Sequence, residues 1–256
     1  MLVCSSEKYA IIVAILVFSI AVFIIVLNTI KKKKENLDVN LIKLFGQSIL
    51  SIIASICAYF ATFNLIELIY SGVSEIVKPI IYIYPEKTAD VKIKLGFPKK
   101  LTCTYPEYSN CWNVKAFPDG KLIDAQGKEY YALYWEGKDF SKQSFDEGFV
   151  IEGNSTAEFL EEKLAFLGLN DREANEFIIY WLPILKANKY NLIRFQTIDE
   201  IERNMPLEIY PQPDTVIRVM IEFKPLKKPI SVKEQKLKAV TRKGYTVVEW
   251  GGIKNK

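Results

Sequence analysis

Five acidic residues around a glycine-containing loop come closest to a catalytic arrangement: Glu136, Asp139, Asp146, Glu147 and Glu152. Two carboxyl groups held several ångströms apart could serve a glycosidase-like reaction as acid and base or nucleophile. Calcium binding is a second hypothesis, although the stretch lacks the ligand spacing of an EF-hand loop. Solvated loop acids are the third interpretation, and it is favoured because nothing in the sequence brings two of these acids together.

Composition excludes most other catalytic chemistry. The 256 residues include no histidine, which removes Ser-His-Asp and Cys-His catalysis and His-ligated zinc. Neither G-x-x-x-x-G-K-[ST] nor G-x-G-x-x-G occurs, so phosphate binding by those loops is excluded. We therefore expect no catalytic residue, no metal and no cofactor, and the sequence favours a non-enzymatic function over an enzymatic one.

Aromatic residues in predicted strands suggest either a sugar-binding surface or a core. At alternate strand positions such side chains are usually core residues or cross-strand pairs, so the core is the favoured interpretation. The residues concerned are Trp112, Tyr134, Trp135, Tyr180, Trp181 and Trp250.

The elements that position these residues predict an α+β domain, mostly antiparallel β with an inserted helical pair. The helices are expected at Ala157–Leu167, ended by Gly168, and at about Asp171–Asn175. The predicted strands are Ile80–Tyr84, Val91–Leu95, Leu101–Thr104, Trp112–Ala116, Tyr130–Trp135, Phe149–Glu152, Phe177–Leu182, Leu192–Gln196, Leu207–Tyr210, Val216–Phe223 and Tyr245–Trp250.

Two uncharged stretches near the start, Ala10–Ile30 and Leu44–Ile66, predict a two-helix transmembrane hairpin. The first extends roughly 30 Å as a helix, the thickness of a bilayer's hydrocarbon core. Lysines between the stretches predict a cytoplasmic loop, which places both the N-terminus and the folded domain on the non-cytoplasmic side of the cell membrane. The predicted segments are a stub at 1–8, spans at 9–30 and 44–70, a basic loop at 31–43, a connector at 71–78 and one extracytoplasmic domain at 79–256.

The predicted second span has a face of small residues that includes Ser48, Ser51 and Ser55. Small faces let helices approach closely in a bilayer, so this face is expected to contact either the first span or a second copy of the chain. The expected partners are therefore the lipid bilayer and, as an alternative, a homo-oligomer. No nucleic acid is expected, because the domain is predicted to face away from the cytoplasm.

Cys103 and Cys111 flank Pro106 in a predicted turn. On the non-cytoplasmic side of a membrane thiols can be oxidised, so the pair is a candidate disulfide, with two free thiols as the alternative. The bond would add roughly 2.5 kcal/mol by the chain-entropy model.

Five motifs occur in a recognisable order: Lys78–Pro85, Thr104–Pro106, Tyr134–Gly137, Asn175–Pro183 and Val247–Gly252. Their order resembles a family of uncharacterised, mostly bacterial proteins, many of them exported or membrane-anchored. The resemblance covers about residues 78–252 and implies one domain, but it implies no activity.

Within these motifs the first binding candidates are Trp135, Glu136, Glu249 and Trp250. The alternative is that they are strand ends with turn glycines. The expected function is a membrane-anchored, extracytoplasmic, non-enzymatic binding or envelope-associated module. The alternative function is a carboxylate-dependent hydrolase that acts on a cell-surface polymer, and a third hypothesis places the domain in the cytoplasm, with one span misjudged.

Overall fold

A computed structural model describes residues 20, 24–25, 28, 30–31, 41–70, 74–139 and 145–254. The chain divides into two compact units, Met1–Gly72 and Val73–Lys256. The predicted stub at 1–8, most of the first predicted span and most of the basic loop lie outside the described residues.

Helix α1, Leu41–Tyr70, occupies the position of the second predicted span. Nowhere in the described part of the chain is a helix long and apolar enough to cross a membrane. The predicted two-helix transmembrane hairpin is therefore wrong, and the predicted two-span location in the cell membrane is corrected with it.

The serine face of α1 is described at one of its three positions. Ser55 is buried, whereas the side chains of Ser48 and Ser51 lie outside the described residues. Oligomerisation through this face stays a prediction.

The described residues of the second unit form three α-helices, two one-turn 3-10 helices (Pro98–Lys100 and Gly153–Ser155) and thirteen strands. The helices are α2 Thr156–Phe166, α3 Asp171–Lys186 and α4 Ile198–Asn204. The strands are β1 Ser74–Tyr84, β2 Ala89–Leu95, β3 Leu101–Tyr105, β4 Trp112–Ala116, β5 Leu122–Ile123, β6 Glu129–Tyr130, β7 Leu133–Asp139, β8 Glu147–Glu152, β9 Tyr190–Phe195, β10 Leu207–Tyr210, β11 Thr215–Leu226, β12 Lys233–Glu234 and β13 Thr246–Lys254.

These strands form two sheets. The larger has the order β12-β8-β9-β11-β13-β1-β7-β3, and the smaller has the order β10-β2-β4-β5-β6. In the described residues β11 pairs with β13 in parallel, as does β12 with β8, and the other pairs are antiparallel. The prediction of an α+β domain is confirmed.

The larger sheet has a hydrophobic core on each face. One core lies between the two sheets and contains Trp135, Val247 and Trp112. The other lies under α2 and α3 and contains Trp181 and Trp250. Strand β13 is buried on both faces, because its alternate side chains enter the two cores.

Helix α3 corrects the predicted strand Phe177–Leu182. An Asn170–Glu173 capping box starts the helix, and Pro183 lies within it. Phe177, Trp181 and Leu185 are fully buried, at the four-residue spacing of one helical face. The local run of aromatic and branched residues favours a strand, but packing of this one face against the sheet decides the structure.

A bulge in β1 admits a proline into the middle of the larger sheet. One extra residue lies between Val77 and Ile80 in the pairing with β13, and between Ile76 and Ile80 in the pairing with β7. Pro79 occupies this bulge, where its missing N–H breaks no regular ladder bond. Lys78, beside it, has φ 60°, in the left-handed region.

Glycines in β13 make room for the bulge and for helix α3. A Cβ on Gly251 would lie 2.9 Å from the Cα of Pro79, and one on Gly252 would lie 2.4 Å from Cζ2 of Trp181. The Val247–Gly252 motif is thus the interior of a central strand, and its glycines permit close packing.

Candidate functional site

The four binding candidates predicted from the sequence separate onto two faces of the larger sheet. Trp135 and Glu249 meet between the sheets, where Nε1 of Trp135 donates a hydrogen bond to Oε1 of Glu249 at 2.8 Å. Trp250 lies in the opposite core and Glu136 is half-buried. Trp135, Glu249 and Trp250 are fully buried, so Glu136 alone of the four is accessible to a ligand.

Glu249 belongs to a buried charge network. Nε of Arg218 donates to Oε2 of Glu249 at 2.7 Å, and Nη1 of Arg218 donates to Glu202 of α4 at 2.7 Å. The Arg218 and Glu249 side chains are 1% and 0% exposed. Both oxygens of Glu249 therefore have donors, which leaves no free position for an acid or base reaction.

A second buried arginine repeats this arrangement. Arg194 of β9 pairs with Glu222 of β11 at 2.9 Å and with Glu200 of α4 at 2.5 Å. Nε2 of Gln196 donates to the other oxygen of Glu222 at 2.6 Å. Together the two arginines fasten α4 to the sheet.

The pKa values of the two carboxyl groups around Arg194 shift in opposite directions. Desolvation raises the pKa of Glu222 above its ordinary value, despite the bonds from Gln196 and Arg194. Desolvation also acts on Glu200, but the hydrogen bonds from Arg194 and Thr197 outweigh it and lower the pKa of Glu200. The exposed end of the network is thus the more firmly ionised.

The predicted acid cluster does not converge. Glu136 and Asp139 lie on β7, whereas Glu147 and Glu152 lie on β8. These strands are five steps apart in the sheet order, about 24 Å at 4.8 Å per step. A glycosidase pair is about 5–9.5 Å apart, so no pairing between the two strands has that geometry.

An open cavity beside α3 brings accessible aromatic side chains together. We call it the tyrosine groove. Its volume is about 390 Å³, and its lining is Lys78, Ile80, Tyr105, Glu129, Tyr130, Tyr131, Ala132 and Tyr134. Tyr105 and Tyr131 are 53% and 51% exposed, which makes the groove a feature of the surface.

Lys78 lies at one end of the groove because of the β1 bulge. Its backbone N–H donates to Oε1 of Glu136 at 3.4 Å. Its Nζ lies 5.6 Å from the ring centroid of Tyr134 and 5.8 Å from that of Tyr180. Strained backbone and bulges recur at functional sites, and here they direct an ammonium group between two tyrosine rings.

Other cations contact the remaining rings. Nζ of Lys128 lies 5.2 Å from the centroid of Tyr105 and 5.4 Å from that of Tyr130. The guanidinium of Arg172 lies 4.8 Å from the Tyr131 centroid. Cation–π contacts of this length hold the rings in position.

Phenol groups at this site remain protonated well above neutral pH. Burial, and then the hydrogen bond to Glu136, raise the pKa of Tyr134. Burial and Glu176 do the same for Tyr82, whose hydroxyl donates to Oε2 of Glu176 at 2.7 Å. Both phenols are therefore neutral at physiological pH, and each is bonded to a carboxylate.

The tryptophans and the tyrosines of the predicted aromatic set take different positions in the structure. All four tryptophans of the set, Trp112, Trp135, Trp181 and Trp250, are buried, which confirms the core interpretation for them. Tyr134 and Tyr180 are half-buried beside the groove. The sequence analysis missed Lys78 and Tyr131, although a Lys-Pro pair in an apolar strand and the Tyr130–Tyr131 doublet were available signals.

Cys103 and Cys111 are free in the structure. Cys103 is exposed on β3, and Sγ of Cys111 accepts from Nδ2 of Asn113 at 3.3 Å. The candidate disulfide is therefore not formed here. Among the described residues no group of three or more acidic, cysteine or histidine side chains could hold a metal ion.

No family model matches the chain. No curated protein and no solved structure matches it either. The resemblance to an uncharacterised bacterial family therefore stays a prediction that rests on the five motifs.

Proposed function

We propose that the folded unit is a non-enzymatic binding module whose ligand lies in the tyrosine groove. The observation that carries this proposal is the exposure of two tyrosine rings, Tyr105 and Tyr131, around one cavity. Rings that serve only the core are buried, as the tryptophans are. Ligand pockets combine apolar walls with a few fixed polar groups, and Lys78 and Glu136 supply such groups here.

The charges around the groove favour a neutral ligand rich in hydroxyl groups, such as a saccharide. Lys78, Lys128 and Arg172 already contact the rings, so a cationic ligand would compete with them. Glu129 lines the groove and Glu136 adjoins it, so these two carboxylates offset much of the attraction of the cations for an anionic ligand. A sugar has apolar C–H faces for the rings and hydroxyls for the polar groups.

The alternative, a carboxylate-dependent hydrolase, has less support. Its acids on β7 and β8 lie far apart, and the buried acids Glu222 and Glu249 are each held by an arginine. Carboxylates fixed in this way help to orient α4 on the sheet and are poorly placed to exchange protons with a substrate.

Affinity electrophoresis of the full chain through gels that contain neutral soluble polysaccharides tests the proposal. We expect at least one polysaccharide to retard the protein, and Tyr131→Ala and Tyr134→Ala to weaken that binding about tenfold each, the equivalent of about 1.4 kcal/mol. Phe166→Ala is the matched control, because Phe166 is a 48% exposed aromatic outside the groove.

The proposal fails if no neutral polysaccharide retards the protein, or if both tyrosine variants bind like the control. A reducing-end assay on the same polysaccharides separates the two functions. If the protein releases reducing ends and Glu136→Gln abolishes that release, the function is that of the hydrolase and not of a binding module.

A further inference from the structure

Strand β11 has a strand neighbour on both sides over only a small part of its length. It pairs with β13 at Thr215–Glu222, but with β9 only at Ile221–Leu226. Among the described residues, 215–219 are therefore paired with another strand along one edge only. Five residues of free edge extend about 16 Å.

The free edge exposes backbone hydrogen-bonding groups. The carbonyl of Met220 points toward β9, where it accepts from the N–H of Gln196 at 2.9 Å. Since backbone groups alternate along a strand, Val216 and Arg218 present their N–H and C=O groups to this same side. No backbone hydrogen bond from the described residues reaches Val216 or Arg218 there. Such an edge is a template for another strand.

A cavity of about 420 Å³ lies along this edge. One wall contains Ile217 and Arg218 of β11, and the opposite wall is the segment Lys236–Val240, which belongs to no strand. Leu167 and Leu237 add apolar surface. We call this cavity the edge slot.

A buried glutamine lines the same cavity. Gln196 is 7% exposed and lines the slot. Its Nε2 faces the carboxylate of Glu222, which fixes the amide orientation because a carboxylate only accepts. Its Oε1 has no hydrogen-bond partner among the described residues.

We propose that the edge slot binds an extended peptide segment of a partner protein, which adds as a strand to the free edge of β11. Backbone bonds to Val216 and Arg218 give this mode its affinity, and the walls select alternate side chains. The apolar walls accept aliphatic side chains. The exposed Lys236 and Lys238 outnumber Asp199 around the slot, so the alternate, outward side chains of the peptide are acidic.

Amide hydrogen exchange of the full chain is the first test, and it needs no ligand. The amides of Val216 and Arg218 should exchange about tenfold or more faster than those of Ile217 and Val219, whose groups bond to β13. Equal protection of all four would overturn the proposal, because it would show that the edge is already paired.

The second test titrates the full chain with acetyl-Val-Glu-Val-Glu-Val-amide and follows the backbone amide signals of β11. Saturable shifts at Val216 and Arg218 are expected. The same peptide with alternate amides N-methylated keeps its side chains but loses its donors, so it should bind about tenfold more weakly or worse. Equal binding of the two peptides would overturn strand addition.

Two controls complete the experiment. Val216→Pro removes one donor on the free edge, where proline is tolerated, and should abolish the shifts while Val247 and Val248 of β13 stay protected from exchange. If that variant does not fold, the comparison of the two peptides on the unmodified chain still decides. A lysine version of the peptide should bind more weakly, and equal binding would overturn the acidic preference.

Discussion

At the scale of single residues, the arginine of each buried network is the member that cannot be removed alone. Arg218 lies between Glu249, which is fully buried, and Glu202, whose side chain is 47% exposed. A buried pair gains little over apolar side chains of the same volume, but one partner left without the other is a costly uncompensated charge. The networks therefore specify how α4 docks more than they add net stability.

Arg218→Met should lower the free energy of unfolding by about 3–5 kcal/mol, because it leaves the Glu249 carboxylate buried and unpaired. Glu202→Ala is the control and should cost less than about 1 kcal/mol, because the carboxylate that it removes is partly solvated and Arg218 keeps its buried partner Glu249. Urea unfolding of the full chain, followed by tryptophan fluorescence, measures both. The double variant Arg218→Met/Glu249→Gln should recover part of the loss, and a purely additive result would contradict the pairing.

At the scale of elements, the β1 bulge connects a strained residue with the tyrosine groove. Lys78 holds φ at 60° immediately before Pro79, a conformation that costs a non-glycine residue about 1–2 kcal/mol. That cost brings the ammonium to the rings of Tyr134 and Tyr180. Strain of this kind is retained where the surrounding structure or the function requires it.

Lys78→Gly should therefore separate stability from binding. Glycine accepts positive φ without strain but loses about 0.5–1 kcal/mol through its greater freedom when unfolded, so we expect a net gain of roughly 0.5 kcal/mol. Polysaccharide binding at the groove should fall at the same time, because the ammonium is lost. Urea unfolding and affinity electrophoresis of one preparation test this pair of effects, and a loss of more than about 1 kcal/mol would contradict the assignment of strain.

At the scale of the whole molecule, tyrosines are distributed through both cores and the groove, and several have raised pKa values. Burial raises the pKa of Tyr245 to about 12, and burial is also the main cause for Tyr82, Tyr84 and Tyr134. An unfolded chain ionises its tyrosines near pH 10. Between these values the unfolded state loses protons that the folded state keeps.

The folded protein should consequently lose stability as the pH rises above about 10. A tyrosine whose pKa is higher in the folded than in the unfolded chain stabilises the fold fully at pH values below the unfolded-state pKa. This contribution is lost between the two pKa values, at about 1.4 kcal/mol per pH unit for each such tyrosine. Free energies of unfolding in urea at pH 8 and pH 11 measure this loss.

Tyr245→Phe is the matched variant for that experiment. The hydroxyl of Tyr245 is buried without a hydrogen-bond partner in the described structure, so its removal should be neutral or stabilising at pH 8. The variant should also lose about 1.4 kcal/mol less between pH 8 and pH 11. An unchanged alkaline loss would show that Tyr245 ionises normally.

Local patterns in the sequence were sufficient for much of the architecture. The apolar alternation of Val91–Leu95 and Trp112–Ala116 predicted two strands that the structure contains with nearly those bounds. The four tryptophans were correctly expected in the core, because a large apolar ring is stabilised chiefly by burial. These features depend on residues close together in the chain.

Contacts between distant residues were decided only by the tertiary structure. Arg218 and Glu249 are far apart in sequence and meet because β11 and β13 pair in parallel. The Phe177–Leu182 run became helical because the sheet selected one face of it. The tyrosine groove combines side chains from β1, β3 and β7, and no local pattern records which strands become neighbours, since sheet order is set by packing energy summed over the whole fold.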